Sequence, residues 1–176
     1  MVSLKAILPS ETPSALLNTL SELLIDAVQG GASVGFLSPL PLESANSYWQ
    51  GVFEALGEGL ALWVAFEGER AVGSVQLSLC LKQNGLHRAE VQKLFVHSDY
   101  RGQRIASRLL DTLERFAYAN GRTLLVLDTE AGSHAESVYR HLGWVKMGEI
   151  PRYALNANGV MHATAYYYKE IGTPTK

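Results

Sequence analysis

The sequence predicts a mixed α/β fold of the α+β kind, an antiparallel meander of strands followed by one β-α-β unit. Three observations predict it. Two apolar runs, Leu60 to Glu67 and Ala71 to Lys82, are joined by the tight turn Glu67-Gly68-Glu69-Arg70. Ala106, Leu109, Leu110, Leu113, Phe116 and Ala117 then recur at helical spacing between two strand-like runs, Arg88 to Val96 and Thr123 to Thr129. The second of those runs is β-rich and apolar, as a buried strand should be.

The remaining elements follow from local signals. Leu4 to Leu8 reads as a first strand. Thr12 is placed to cap a helix with Pro13 at its first position. Leu16, Leu17, Leu20, Leu23, Leu24 and Ala27 form that helix's apolar face, and Gly30-Gly31 stops it. A second helix covers roughly Leu42 to Leu56. Asn84-Gly85 marks the turn before the strand from Arg88, and Asn120-Gly121 ends the third helix. A short helix spans about His134 to Leu142, and closing strands lie near Trp144 to Ile150 and Ala163 to Ile171. The tail Gly172 to Lys176 reads as frayed.

Length and composition set the class. The chain has 176 residues, 47% hydrophobic and 18% charged, so one domain over 1–176 with a proper core is expected, and neither disorder nor a coiled coil fits. A net charge of -2 argues against a nucleic-acid partner, which needs clustered basic charge. The single cysteine, Cys80, rules out an internal disulfide framework and suits a reducing compartment; it reads as packing within an apolar strand run. No apolar run approaches the roughly 18–20 residues needed to span a bilayer. Pro9, Ser10 and Glu11 interrupt the stretch a signal peptide would need. A cytoplasmic chain with no membrane partner is therefore expected. His87, His97, His134, His141 and His162 show no metal-ligand spacing, so no metal is expected. Trp49, Trp63 and the run Tyr166-Tyr167-Tyr168 read as core or subunit interface.

The most informative stretch is VQKLFVHSDYRGQRIA, Val91 to Ala106. A strand ends in Leu94-Phe95-Val96, a polar turn follows, and Arg101-Gly102-Gln103-Arg104-Ile105-Ala106 opens a helix. Backbone N–H groups at a helix start lack intrahelical partners, and the helix dipole adds positive potential, so this geometry with two arginines makes a phosphate cradle. The alternative is an ordinary solvated helix start.

This pattern resembles the pyrophosphate-binding signature [Q/R]-x-x-G-x-[G/A] of the GNAT superfamily of N-acetyltransferases. Arg101 fills the first position and Ala106 the last; the usual fourth-position Gly is Arg104, which keeps the N–H donor, adds a guanidinium and crowds the turn. Ala135, Tyr139, Gly143 and Trp144 resemble the family's A-x-x-x-Y-x-x-x-G-[F/W] segment, with Gly132 where an Asn is often found. The order of elements also matches. The resemblance implies a GNAT-type acyl-CoA N-acyltransferase fold, a mixed central sheet with helices on both faces. It further implies acetyl-CoA as cosubstrate, with pyrophosphate at Arg101 to Ser107 and the pantetheine arm along Leu94 to Val96 like an added strand. Segments GGASVGF (Gly30 to Phe36), QLSLCLKQNGLHRAEVQKL (Gln76 to Leu94) and LDTEAGS (Leu127 to Ser133) look like those of the tabtoxin resistance proteins. That narrower resemblance implies an amino-acid-like toxin or antibiotic as acceptor.

Acetyl transfer to an amine needs a base for the amine, a donor for the oxyanion and an acid for the leaving thiolate. An alkyl ammonium has a pKa of about 10.4, so a base must be close by. Glu90, expected on one strand face with Gln92, Leu94 and Val96, and Asp128, at the end of Leu124-Val126-Asp128 in apolar surroundings, are the candidates. Their structural alternatives are pairing of Glu90 with Lys93 or Arg88, and capping of the next turn by Asp128. By resemblance both belong to substrate deprotonation. Tyr139 is the candidate acid by its motif position, with a core aromatic as the alternative. A main-chain N–H near Phe95 or Val96 would be the oxyanion donor. Gly30 to Phe36 lacks dinucleotide-loop spacing and reads as a substrate-side loop. The implied partners are a small-molecule amine and a second copy of the chain in a homodimer, for which the Tyr-rich final strand would serve. Two rivals stand beside this reading. One is an enzyme for protein N-termini, lysines or polyamines, though Glu54 and Glu58 are too sparse for a polyamine site. The other is a non-catalytic acyl-CoA-binding regulator.

Overall fold

The computed structural model describes residues 1–11 and 13–172. Its elements run β1 (Ser3–Ile7), α1 (Ser14–Gln29), α2 (Leu42–Ala55), β2 (Leu60–Glu67), β3 (Arg70–Leu79), β4 (Arg88–Val96), α3 (Ile105–Ala119), β5 (Leu124–Glu130), α4 (His134–His141), β6 (Val145–Leu155) and β7 (Met161–Glu170). The seven strands form one sheet in the order β1-β2-β3-β4-β5-β7-β6. Only β4 and β5 are parallel, joined through α3, so the expected meander and β-α-β unit are both present.

Each face of the sheet carries its own core. On one, Leu20, Leu23, Leu24 and Ala27 of α1 and Trp49 of α2 pack over Leu62, Val64 and Phe95. On the other, Ile105, Leu109, Leu110 and Leu113 of α3 pack with Tyr139 of α4 over Trp63, Val75, Leu77 and Val91. Leu109, Leu110 and Leu113 are essentially inaccessible, and burial of each stabilises by about 2 kcal/mol. Phe116, expected on the same face, sits at its margin, with its ring 5.0 Å from Trp63 in an edge contact.

Several boundaries differ from expectation. Pro13 stands one residue before α1, where its fixed φ of -69° leads into the helix; Thr12 lies outside the described residues. The strand from Arg70 ends at Leu79, so Cys80 lies past it, half-buried, with its thiol 3.7 Å from Arg88. Residues 173–176 of the expected frayed tail also lie outside the described residues. The largest difference is the β6–β7 hairpin, which continues through Pro151 to Leu155. The register slips between Ile150 and Ala154, and Arg152 takes φ +53°, so the proline sits at a bulge of an edge strand. The hairpin tip reaches back across the molecule, where Ser38 N–H donates to the Ala157 carbonyl at 2.7 Å.

β7 lies inside the sheet, between β5 and β6. Its Tyr166-Tyr167-Tyr168 run is therefore not at an edge, and Tyr167 is buried. β6 is an edge strand, as β1 is at the other side of the sheet, and it presents Val145, Met147, Ile150 and Tyr153 to solvent.

Candidate active site

The site begins with a bend in β4. Strand alternation puts Ala89 and Val91 in the α3-side core, but Lys93 adopts φ +53° and the pairing with β3 slips by one residue between Ser74 and Gln76. This bulge inverts the phase of the strand. Leu94 and Val96 then face the α3 side, whereas Phe95 joins the α1–α2 core. Glu90 and Gln92 consequently share the face of Phe95, not that of Leu94 and Val96 as simple alternation predicts.

The bend also parts β4 from β5. Their parallel pairing runs only from Arg88↔Leu124 to Glu90↔Val126. Beyond it the strands splay around a cleft of about 840 Å³.

One wall of this cleft comes from one continuous stretch of chain. Leu94, Phe95, Val96, Arg101, Gly102, Arg104, Ile105, Ala106 and Ser107 line it, but Gln103 does not. The helix does not start at Arg101: a 3-10 turn at Ser98–Tyr100 and a loop come first, and α3 begins at Ile105. Its first turn precedes the first helical hydrogen bond, from Arg108 N–H to the Arg104 carbonyl at 3.1 Å. No side chain caps it and no acidic residue occupies it. These N–H groups and the adjoining arginines suit an anion. Gly102 and Arg104 both sit in the left-handed region, at φ +76° and +59°. That is why glycine is favoured at the fourth signature position: Arg104 takes the same turn at a cost of about 1 kcal/mol. Arg101 does further work in the fold, its Nε donating to the Val96 carbonyl at 3.4 Å.

The other wall is built from side chains brought together over long sequence separations. Glu90, Gln92 and Lys93 come from β4, Asp128 from β5, the loop Gly30 to Gly35 from behind α1, and Tyr153 to Leu155 from the hairpin. Glu90 accepts from the Gln92 amide at 2.9 Å. It forms no ion pair with Lys93 or Arg88 among the described residues. Asp128 does not end its strand, which runs on to Glu130; Leu125 and Leu127 point into the core while Asp128 opens to the cleft. Partial burial and the neighbouring Glu90 charge push the Asp128 carboxyl above its ordinary range.

Tyr139 closes the floor. Its ring is buried, 6.0 Å from both Trp144 and Tyr167. It both belongs to the core and lines the cleft, and its hydroxyl makes no hydrogen bond among the described residues. Burial first, then the charge of Asp128, pushes its phenol well above the ordinary value, so it is fully protonated at neutral pH. Glu136 anchors the helix that carries it. Its Oε1 accepts from Gly132 N–H at 2.7 Å, its Oε2 accepts from the Tyr167 hydroxyl, and Lys146 pairs with it at 2.9 Å. Burial alone would raise this carboxyl, but those partners hold it near 2.

The structure thus brings Glu90, Asp128 and Tyr139 to one cleft. Sequence reasoning overlooked Lys93, Tyr153 and Glu136. Lys93 had a signal: polar residues at two consecutive positions, Gln92 and Lys93, break the strand alternation.

A mixed sheet parted at its parallel pair thus sets an open helix start on one side of a cleft and a protonated phenol and two carboxylates around the rest of it. The sequence matches the acetyltransferase (GNAT) family over residues 21–144, and the chain belongs to that family. N-acetyltransferase 8B of Rattus norvegicus is 37% identical over 94 residues, which cover 52% of this chain and 42% of that protein. N-alpha-acetyltransferase 30 of Schizosaccharomyces pombe is 28% identical over 105 residues, covering 59% of this chain and 70% of that protein. The chain thus spans less than half the length of the rat relative. An N-acetyltransferase from Staphylococcus aureus Mu50 superposes with a TM-score of 0.77 at 17% identity, covering 98% of this chain and 99% of that one. The acetyltransferase yncA of Salmonella typhimurium, solved with its cofactor acetyl-CoA, superposes at 0.73 and 15% identity, covering 99% and 96%. These superpositions show a shared fold.

Proposed function

We propose that this acetyltransferase moves an acetyl group from acetyl-CoA directly to the amine of a small molecule. The observation that carries this reading is the juxtaposition of an uncapped α3 start and the Glu90–Asp128–Tyr139 group across one cleft. The family and the Salmonella structure with its cofactor support acetyl-CoA, which when bound supplies the acetyl group as a thioester. The residues present fit it. The first-turn N–H groups of α3, with Arg101 and Arg104, would hold the pyrophosphate, and the β4 edge from Leu94 to Val96, unpaired with β5, would hold the pantetheine arm.

Asp128, with Glu90 beside it, takes a proton from the acceptor ammonium directly or through water. A raised carboxylate pKa brings it nearer to that of the amine and makes this transfer less uphill. A main-chain N–H near Phe95 or Val96 steadies the oxyanion. The Tyr139 hydroxyl, protonated and without an internal partner, donates to the departing sulfur. The segment likeness to tabtoxin resistance proteins supports an amino-acid-like toxin or antibiotic as acceptor. A peptide N-terminus is the second reading, favoured by the Schizosaccharomyces pombe relative. We also propose a homodimer, formed through the exposed apolar edge of β6 rather than the Tyr-rich β7. No helix among the described residues is long and apolar enough to cross a membrane.

Free-thiol release from acetyl-CoA across amino acids, aminoglycosides, polyamines and peptides tests the reading. Acceptor-dependent release with small amines is the expected result. Release with peptides alone would transfer the function to protein N-termini, and binding of acetyl-CoA without release on any acceptor would leave a regulator.

A further inference from the structure

Lys93 has no role in the reading above, yet it stands between the two carboxylates and the substrate-side loop. It projects from the bulge that bends β4. Its Nζ lies 5.9 Å from the centre of the Tyr48 ring, and a Cβ added to Gly35 would stand 3.6 Å from it. Among the described residues its ammonium makes no hydrogen bond, although its carbonyl accepts from the Ser74 hydroxyl at 3.2 Å, and no carboxylate comes within 4.0 Å of the ammonium. Partial burial pulls its ammonium below the ordinary value, while Asp128 and Glu90 offset this from beyond pairing distance. The Tyr48 ring face meets it at the outer limit of a cation–π contact, and a half-buried cation with no anion beside it is unfavourable unless something else meets it.

Away from the arginines of the α3 start, the cleft therefore sets Glu90 and Asp128 toward β5 and Lys93, with no anion beside it, toward the Gly30–Gly35 loop. Tyr48 is fixed beside that cation: Gln76 donates to its hydroxyl at 2.9 Å, and Phe36 packs on its ring at 5.3 Å. A polyamine would set its second ammonium against Lys93, and a neutral-tailed amine would leave Lys93 unpaired. An acceptor with both an amine and an anion satisfies every charge.

We infer that Lys93 is a specificity-determining residue which binds a carboxylate of the acceptor while Glu90 and Asp128 face its amine, so that the substrates are amino-acid-like zwitterions. This rests on the proposed acetyl transfer. The test is thiol release by the full chain with matched acceptor pairs, an amino acid and the amine lacking its carboxylate: lysine with cadaverine, phenylalanine with phenethylamine. The α-carboxylated member should be preferred in kcat/KM by about 10- to 100-fold, the range of a charge-assisted contact. Lys93→Met should raise KM for the carboxylated acceptor by a similar factor, leave kcat nearly unchanged and raise KM for neither decarboxylated amine. Lys93→Arg should restore most of the preference.

Equal or better use of the decarboxylated amines by the unaltered protein would overturn the inference. So would a Lys93→Met loss of kcat shared equally by both members of each pair, which would make Lys93 part of the chemistry. Absence of release with every acceptor, despite acetyl-CoA binding seen by calorimetry, would instead remove the acetyl-transfer reading on which the inference stands.

Discussion

The two walls of the cleft are made in different ways. The wall from Leu94 to Ser107 is one continuous piece of chain that brings backbone donors to the cleft: a bent strand edge, two left-handed turn residues and a helix start. The facing wall collects Glu90, Lys93, Asp128, Gly30 to Gly35 and Tyr153 from four separate segments and presents mainly side chains and charge. Backbone donors suit a ligand part common to a whole family, because they change little with side-chain identity. Charged side chains are free to vary, and they suit the part that differs between family members. The contrast predicts that substitutions on the two walls separate cosubstrate binding from chemistry and acceptor choice.

The largest expected effect lies at the floor between the walls. Tyr139→Phe removes one hydroxyl that has no internal partner and keeps the ring packed against Trp144 and Tyr167. Turnover should fall by about 10²-fold or more, the scale of a lost general acid, with acetyl-CoA affinity nearly unchanged. Steady-state kinetics with calorimetry on the same sample checks both. Unaltered turnover would assign Tyr139 to the core alone.

The pH profile comes next. Asp128 acts as its carboxylate, and its pKa is raised by burial and then by Glu90, so the acid limb of kcat/KM should lie above the ordinary carboxylate value of 3.8. Glu90→Gln removes the like charge and should move that limb to lower pH, with activity reduced by about tenfold. An unmoved limb would show that the two carboxylates are not coupled, and the side-chain wall would then lose its central pair.

Much of this could be read before the fold was known, and the limits have physical causes. The helix start at α3 and its arginines are local in sequence, so this wall was legible apart from its boundary. The positions of Glu90, Asp128 and Tyr139 were also found, the last through its motif. Strand alternation gave the wrong face for Leu94 and Val96, because a left-handed residue at Lys93 inverts it, and nothing in a Lys codes for a bulge. The strand expected near Trp144 to Ile150 runs on through Pro151: a proline removes a ladder donor, and at the exposed edge, beside a bulge, that loss is tolerated. The hairpin's reach over the cleft, and Tyr153 with it, therefore stayed out of view. Glu136 carried no signal of its own, because its three partners, Gly132, Lys146 and Tyr167, come from outside its helix and only the fold brings them around it.

Glu136 supplies the third prediction. It ties the turn before α4 to β6 and β7 and so holds the helix bearing Tyr139. Glu136→Gln should destabilise the fold by about 1–3 kcal/mol, as loss of a buried charge-assisted network does. The sign of its pH dependence follows from the depressed pKa. A carboxyl ordinarily at 4.5 and held near 2 in the fold contributes stability that is fully present above 4.5 and lost as pH falls toward 2. Denaturant midpoints measured across that interval should fall steeply in the unaltered protein and less steeply in the variant. Parallel slopes would mean that another carboxylate carries the acid sensitivity.

The smallest effect sharpens the contrast between the walls most directly. Arg104 holds a left-handed conformation at the last residue before α3, with its side chain exposed and capping nothing. Arg104→Gly should remove backbone strain there, a gain of about 1 kcal/mol that the added freedom of glycine in the unfolded chain partly offsets. Thermal unfolding reads that gain. On acetyl-CoA the same substitution sets a closer backbone approach against a lost guanidinium. If the wall acts through its N–H groups, affinity should change by less than about threefold and the acceptor preference should not move. A fall of tenfold or more would show that Arg104 pairs with the phosphates, and that this wall too depends on the charge of one side chain.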